Sequence, residues 1–155
     1  MSGLSIGDAI PPVTLADADG ATIDLARLKG APLVVYFYPK ADTPGCTTEA
    51  QDFTRLAPDF AHLNAQVLAV SRDAPAKLCK FRDKYGLTVR LASDEDGAVC
   101  EAFCTWVEKQ NYGRTYMGIE RSTFLFGADG KLAKVWRKVR VKGHADAVLE
   151  AAKAL

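Results

Sequence analysis

Residues 32–38, Pro-Leu-Val-Val-Tyr-Phe-Tyr, form an unbroken apolar run rich in β-branched and aromatic side chains, and Pro39 ends it. A strand with no polar position must be covered on both faces. That requires layers above and below one sheet and confines the chain to an α/β architecture. Residues 66–71, "QVLAVS", repeat the pattern. Between the two runs the spacing of Leu56, Phe60 and Leu63 predicts a helix from near Cys46 to about residue 63. Thr43 or Gly45 is placed to cap it, and Glu49 suits its first turn. Strand, helix and strand in this order imply a right-handed parallel crossover.

The remaining elements follow from turn chemistry. Residues 11–25 read as an extended lead-in or hairpin turned at Asp19-Gly20. A helix spans 75–85, with Pro75 at its start and Gly86 past its end. A short strand at 89–93 and a short helix at 96–104 come next. Strands 122–127 and 131–139 are joined by Ala128-Asp129-Gly130, and a helix covers 144–154. The expected fold class is α/β, thioredoxin-like, with a mixed central β-sheet flanked by helices. The 155 residues suit one domain, 1–155, without repeat or linker. The loop after residue 38 leaves the carboxyl end of a central strand, where open α/β sheets bind ligands.

Charge and composition exclude several functions. A net charge of +1 gives no field for nucleic acid or a membrane surface. The basic stretch "KVWRKVRVK" (134–142) alternates with apolar residues and reads as a strand with a solvated face. The start, "MSGLSIGDAIPPV", has neither a basic lead nor a secretory apolar run, and Ser2 stands where myristoylation needs glycine. The expected compartment is cytoplasmic, where Cys46, Cys79, Cys100 and Cys104 are thiols and any disulfide is transient. Their spacings and the two distant histidines, His62 and His144, do not form a zinc pattern, so neither metal nor cofactor is expected.

The chemistry centres on "YPKADTPGCTTEAQDF" (38–53). Thr43-Pro44-Gly45-Cys46 has the spacing of a Cys-x-x-Cys pair with threonine in the first place. A thiol in the first turn of a helix meets unpaired N–H groups and the positive end of the helix dipole, which favour the nucleophilic thiolate. The alternative for Cys46 is a small buried packing residue. Pro39 and Pro44 stiffen the loop, Gly45 leaves room over the sulfur, and Thr43 can turn a hydroxyl toward the same space. In-line attack of a thiolate on a peroxide needs an aligned oxygen and donors for the departing one. Arg121, just before an apolar strand, either supplies such a donor or pairs with a carboxylate such as Glu120. Lys40 and Arg114 read as solvated.

Read as Pro39, Thr43 and Cys46, the loop resembles the Pro-x-x-x-Thr-x-x-Cys signature of peroxiredoxins. "YPKADTPGCTTEA", "VSRD", "SDEDGAVCEAF" and "GIERSTFLFGADGK" resemble the peroxiredoxin Q group, also called bacterioferritin comigratory protein, over about residues 5–152. The resemblance implies that Cys46 is the peroxidatic cysteine, oxidised to sulfenic acid as hydrogen peroxide or an organic hydroperoxide becomes water or alcohol. It implies that Thr43 and Arg121 activate the substrate and that Pro39 shields the sulfur. It implies a thioredoxin fold with an N-terminal extension, and a monomer.

One departure concerns recycling. Many relatives carry a resolving cysteine five residues after the first, where this chain has Gln51. Others place it in the next helix, which here holds Cys79. Leu78, Phe81 and Tyr85 mark that helix's apolar stripe, leaving Cys79 at the margin. Relatives of this type carry the cysteine nearer Arg82, about a turn, or 5.4 Å, further on. A Cys46–Cys79 disulfide therefore requires local unwinding, because Cα atoms must come within about 7 Å. Val99 and Phe103 read as core, Cys100 as packing, and Cys104 as a lesser alternative resolver. Without a resolver the enzyme is of one-cysteine type. The reductant implied is thioredoxin for a disulfide form, or glutathione with glutaredoxin otherwise. Two competing readings are a thiol–disulfide oxidoreductase, disfavoured by Thr43, and a redox-regulated binding or chaperone module.

Overall fold

A computed structural model describes residues 4–155. The part of the N-terminal reading that rests on residues 1–3 lies outside them. The strands are β1 (Thr14–Asp17), β2 (Thr22–Asp24), β3 (Leu33–Phe37), β4 (Gln66–Ser71), β5 (Arg90–Ser93), β6 (Trp106–Asn111), β7 (Arg114–Ile119), β8 (Ser122–Phe126) and β9 (Leu132–Trp136). The helices are α1 (Pro44–Arg55), α2 (Ala57–His62), α3 (Pro75–Tyr85), α4 (Ala98–Ala102) and α5 (His144–Lys153), with a 3-10 turn at Leu25–Leu28.

Seven strands form one mixed sheet in the order β2-β1-β5-β4-β3-β8-β9. β3, β4 and β5 run parallel, as the crossover reading requires. β8 adds antiparallel to β3, β9 to β8, and the β1–β2 hairpin closes the other edge. The continuous apolar run of β3 is explained by its central place, for all five of its residues are buried. Alternate side chains go to opposite cores. Val34, Tyr36 and Tyr38 join Phe53, Phe60, Leu78, Phe81 and Val148 on the side of α1, α2, α3 and α5. Leu33, Val35 and Phe37 join Val99, Cys100 and Phe103 on the side of α4.

Several boundaries differ from the sequence reading, four of them for a local reason. The single helix expected from Cys46 to 63 is two. Pro58 has no N–H for the Thr54 carbonyl, so α1 stops at Arg55 and α2 restarts around Leu56. α1 also begins earlier, with Pro44 in its first turn, where a missing N–H is harmless. The strand expected to reach 139 stops at Trp136. Arg137 turns to donate to the Cys104 and Phe103 carbonyls, and Lys138 takes a left-handed φ of 48°. The short helix expected to reach 104 stops at Ala102, and Cys104 turns away with φ 55°.

The β6–β7 hairpin was not foreseen. Its turn places Tyr112 (φ 53°) and Gly113 (φ 76°) in the left-handed region, the requirement of a two-residue primed turn. Tyrosine rather than asparagine at the first position hides that signal.

Candidate active site

The loop after β3 is clamped from α3. Asp42, at φ 62°, accepts from the Tyr85 hydroxyl at 2.6 Å and from Lys84 at 2.9 Å. The Ala41 N–H donates to Asp73 at 2.8 Å. These contacts fix where α1 begins. Thr43 is the N-cap residue by position, yet its side chain caps nothing; its hydroxyl donates to the Lys40 carbonyl at 2.7 Å. With its proton so committed, the oxygen is left to accept from an incoming O–H. Pro39 and Lys40 are exposed at the mouth of the loop.

Cys46 lies in the first turn of α1, only 2% exposed. Arg121 Nη2 donates to its sulfur at 3.3 Å, and Nη1 donates to Glu49 Oε1 at 2.7 Å. Arg121 thus pairs with Glu49, not with Glu120, and reaches the sulfur with its other hand. The same Nη2 lies 3.4 Å from where a Cβ on Gly45 would be. A methyl there would touch the guanidinium at van der Waals distance, and a longer side chain would crowd it.

Glu49 is the residue the sequence reading missed. Sequence position alone suggests a first-turn partner for the dipole; Glu49 instead sits beyond that turn and is 1% exposed. The available signal was spacing, because positions three apart on a helix share a face and Cys46 and Glu49 are three apart. Burial pushes the Glu49 carboxyl up to about 7, against the pull of Arg121. Its Oε2 and the Tyr36 hydroxyl are buried with no hydrogen-bond partner among the described residues. Burial, reinforced by Glu49, raises Tyr36 well above the ordinary phenol range, keeping it neutral.

None of the four cysteines is bonded to another. Cys79 is half-buried on the flank of α3, packed against the same core as Cys46. Its sulfur accepts from Arg82 Nη2 at 3.2 Å and lies 3.8 Å from Asp83 Oδ2. Arg82 in turn is held by Asp19 at 3.1 Å. Cys100 belongs to the core behind the sheet from Cys46 and is fully buried. Burial, with Asp94 beside it, pushes its thiol well up. Asp94 accepts from the Val99 and Cys100 N–H groups at 3.0 and 2.6 Å, tying down the start of α4. Cys104 follows in the turn after α4.

Behind the site His144, 6% exposed, shares a 2.7 Å hydrogen bond with Thr123. Burial, and then Arg121, lower its pKa from 6.5 to about 4. A histidine held neutral in the fold stabilises fully above its unfolded pKa, and that contribution is lost as pH falls toward 4. Glu49 has the opposite sign: its contribution is present below 4.5 and lost as pH rises through about 7. Denaturant unfolding of Glu49→Gln, which removes the opposing slope, is expected to lose about 2–3 kcal/mol between pH 6.5 and 4. A flat profile over that window contradicts the burial of a neutral His144.

With this geometry in place, similarity to known proteins becomes informative. Residues 6–135 match the AhpC/TSA family model. Peroxiredoxin Bcp of Bacillus subtilis is 45% identical over 150 residues, 97% of this chain and 96% of that protein. Peroxiredoxin Bcp of Xanthomonas campestris is 49% identical over 140 residues, 90% of this chain and 88% of that protein. A cysteine-to-serine variant of Xylella fastidiosa PrxQ superposes with a TM-score of 0.93 at 40% identity, covering 99% of this chain and 98% of that one. The Xanthomonas campestris bacterioferritin comigratory protein, whose structure was described for its alkyl peroxide reduction activity, gives 0.89 at 45% identity, over 95% and 98%. The chain belongs to the AhpC/TSA family. Within it, this is a thioredoxin-fold peroxiredoxin of the Bcp and PrxQ type, a thiol-dependent peroxidase. Among the described residues no helix is long and apolar enough to cross a membrane.

Proposed function

We propose that Cys46 is the peroxidatic nucleophile, reducing hydrogen peroxide and organic hydroperoxides. The observation that carries this is the Cys46–Arg121–Glu49 chain: a sulfur at a helix N-terminus, 3.3 Å from a guanidinium that a buried carboxylate holds in place. The thiolate attacks the terminal peroxide oxygen, the O–O bond breaks, and the departing oxygen takes a proton to leave as water or alcohol. Cys46 is left as sulfenic acid. Thr43 Oγ1 accepts the peroxide O–H and so aims the O–O axis. A second N–H of Arg121 Nη2 stabilises charge on the departing oxygen, the usual role of a preorganised donor. Pro39 bounds the entrance.

Cys79 is the proposed resolving thiol. Its thiolate attacks the Cys46 sulfenic sulfur, forming a disulfide and releasing water. Both cysteines border one core on the same side of the sheet, while Cys100 lies behind it. Cys79 is held by Arg82 on the flank of α3, so the first turns of both helices must open. Thioredoxin then reduces the disulfide of a monomer in the cytoplasm, and the chain acts as one domain. Non-reducing peptide mapping after one equivalent of hydrogen peroxide is expected to find Cys46 linked to Cys79. Sulfenic or overoxidised Cys46 beside unmodified Cys79 would establish the one-cysteine route with an external thiol such as glutathione.

A further inference from the structure

Cys79, like Cys46, has on its sulfur a guanidinium that a carboxylate holds in turn. At the start of α1 the chain is Cys46–Arg121–Glu49. On α3, Arg82 Nη2 donates to the Cys79 sulfur at 3.2 Å. Arg82 Nη1 donates to both carboxylate oxygens of Asp19, at 3.2 and 3.1 Å, and its Nε donates to Asp83 Oδ1 at 3.2 Å. Each nitrogen of the guanidinium therefore has its own partner, and the planar fork is fixed in one orientation.

Helical spacing builds half of this arrangement. Arg82 and Asp83 follow Cys79 by three and four positions on α3, the separations at which side chains meet along a helix. Asp19 comes from outside the helix, on the turn between β1 and β2. Asp17 orders that turn by accepting from the Asp19 and Ala21 N–H groups, each at 2.9 Å. The Cys79 S–H donates to Asp83 Oδ2 at 3.8 Å, so the thiol proton is directed to a carboxylate and the charge left behind to a guanidinium. The cation is the nearer of the two, which favours negative charge on the sulfur. Asp19 is 70% exposed, so water screens its charge while its oxygens still aim the guanidinium.

We propose that Arg82 is a catalytic residue of the resolving step, stabilising the Cys79 thiolate as it attacks the sulfenic sulfur of Cys46. This rests on Cys79 being the resolving thiol. Cys79 gives up its proton and its electron pair forms the S–S bond. The S–O bond of Cys46 breaks, and the departing hydroxide takes a proton to leave as water. The sulfenic sulfur is reduced and the Cys79 sulfur oxidised, with no further redox partner. Because Asp19 grips Arg82 from the β1–β2 turn, the guanidinium keeps its place at the sulfur while the first turn of α3 opens.

The test follows both steps in reduced full-length protein by quenched flow. After mixing with one equivalent of hydrogen peroxide, sulfenic Cys46 and the Cys46–Cys79-linked peptide are quantified by mass spectrometry. Arg82→Met is expected to slow conversion of sulfenic acid to disulfide about fivefold relative to oxidation of Cys46, the scale of one charge-assisted contact at a partly exposed site. Arg82→Lys, which keeps the charge but not the fork, should fall between wild type and Arg82→Met. A second measurement does not depend on resolution. In a Cys46→Ser background, alkylation of Cys79 by neutral iodoacetamide should slow by a similar factor when Arg82 becomes methionine. Disulfide formation in Arg82→Met that is unchanged or faster overturns the proposal. So does slowing of both steps by one common factor, or Cys79 alkylation that is unchanged or faster. A wild type that forms no Cys46–Cys79 disulfide would instead refute Cys79 as the resolving thiol, and the proposal with it, whatever the alkylation rates.

Discussion

Cys46→Ser is expected to lower hydroperoxide reduction to below about one-thousandth of wild type while leaving the fold intact. A serine hydroxyl at neutral pH is a far poorer nucleophile than a thiolate, and neither Glu49 nor Arg121 is placed to deprotonate it. Glu49 is turned to Arg121, which holds its Oε1 at 2.7 Å. The fold should survive because the exchange is nearly isosteric at a 2% exposed site, and Arg121 Nη2 can donate to the new oxygen as it did to sulfur. Steady-state hydroperoxide consumption checks the rate, and circular dichroism with thermal unfolding checks the fold. Turnover within about tenfold of wild type would show that another residue carries the chemistry.

Arg121→Met is expected to slow Cys46 oxidation by about 10²- to 10³-fold, the usual effect of losing a preorganised donor in a dry site. It removes the contact with the Cys46 sulfur and, on the proposed mechanism, the donor for the departing oxygen. The variant also strands Glu49, 1% exposed, without its cation. Breaking a buried pair costs about 3–5 kcal/mol if the remaining charge persists. Glu49 escapes most of that by protonating, since burial already raises it to about 7. Stability should therefore fall more at pH 8 than at pH 5. Glu49→Gln provides the contrast. Its amide oxygen still accepts from Arg121 Nη1, so the guanidinium stays aimed and the rate should drop only about tenfold. Stopped-flow oxidation rates with hydrogen peroxide measure both variants. An Arg121→Met rate within about fivefold of wild type would remove Arg121 from the chemistry.

What could be read from sequence, and what could not, follows from the range of the interactions involved. The central strands were visible because full burial leaves no polar positions, as at Leu33–Phe37. Helix α3 was bounded correctly at both ends because Pro75 and Gly86 act locally, the latter at φ 60°. Pro58 is just as local, but the apolar spacing of Leu56, Phe60 and Leu63 ran across it and concealed the break between α1 and α2. The β6–β7 hairpin was illegible for a different reason. Its faces are mostly exposed, so neither carries the polar–apolar alternation that burial imposes.

The site divides in the same way. Cys46 and Thr43 were legible because one loop and one helix start place them. The link from Cys46 to Arg121 spans 75 positions and that from Glu49 to Arg121 spans 72, so no local pattern encodes them. Arg121 was readable as an arginine in need of a partner, but its choice of Glu49 over Glu120 depends on β8 lying beside β3. Cys79 was correctly placed at the edge of the α3 stripe, yet its contacts to Arg82 and Asp83 come from the helix's own next turn.

The most direct measurement of the chemistry is to trap the first oxidised species. Reduced protein carrying Cys79→Ser, so that the proposed resolving attack is blocked, is mixed with one equivalent of hydrogen peroxide in the presence of dimedone, then digested and mapped by mass spectrometry. A dimedone adduct on Cys46 in near-stoichiometric yield is expected, with Cys100 and Cys104 unmodified. An adduct on a different cysteine, or peroxide consumed while Cys46 remains a thiol, would contradict the assignment of Cys46 as the residue that attacks the peroxide.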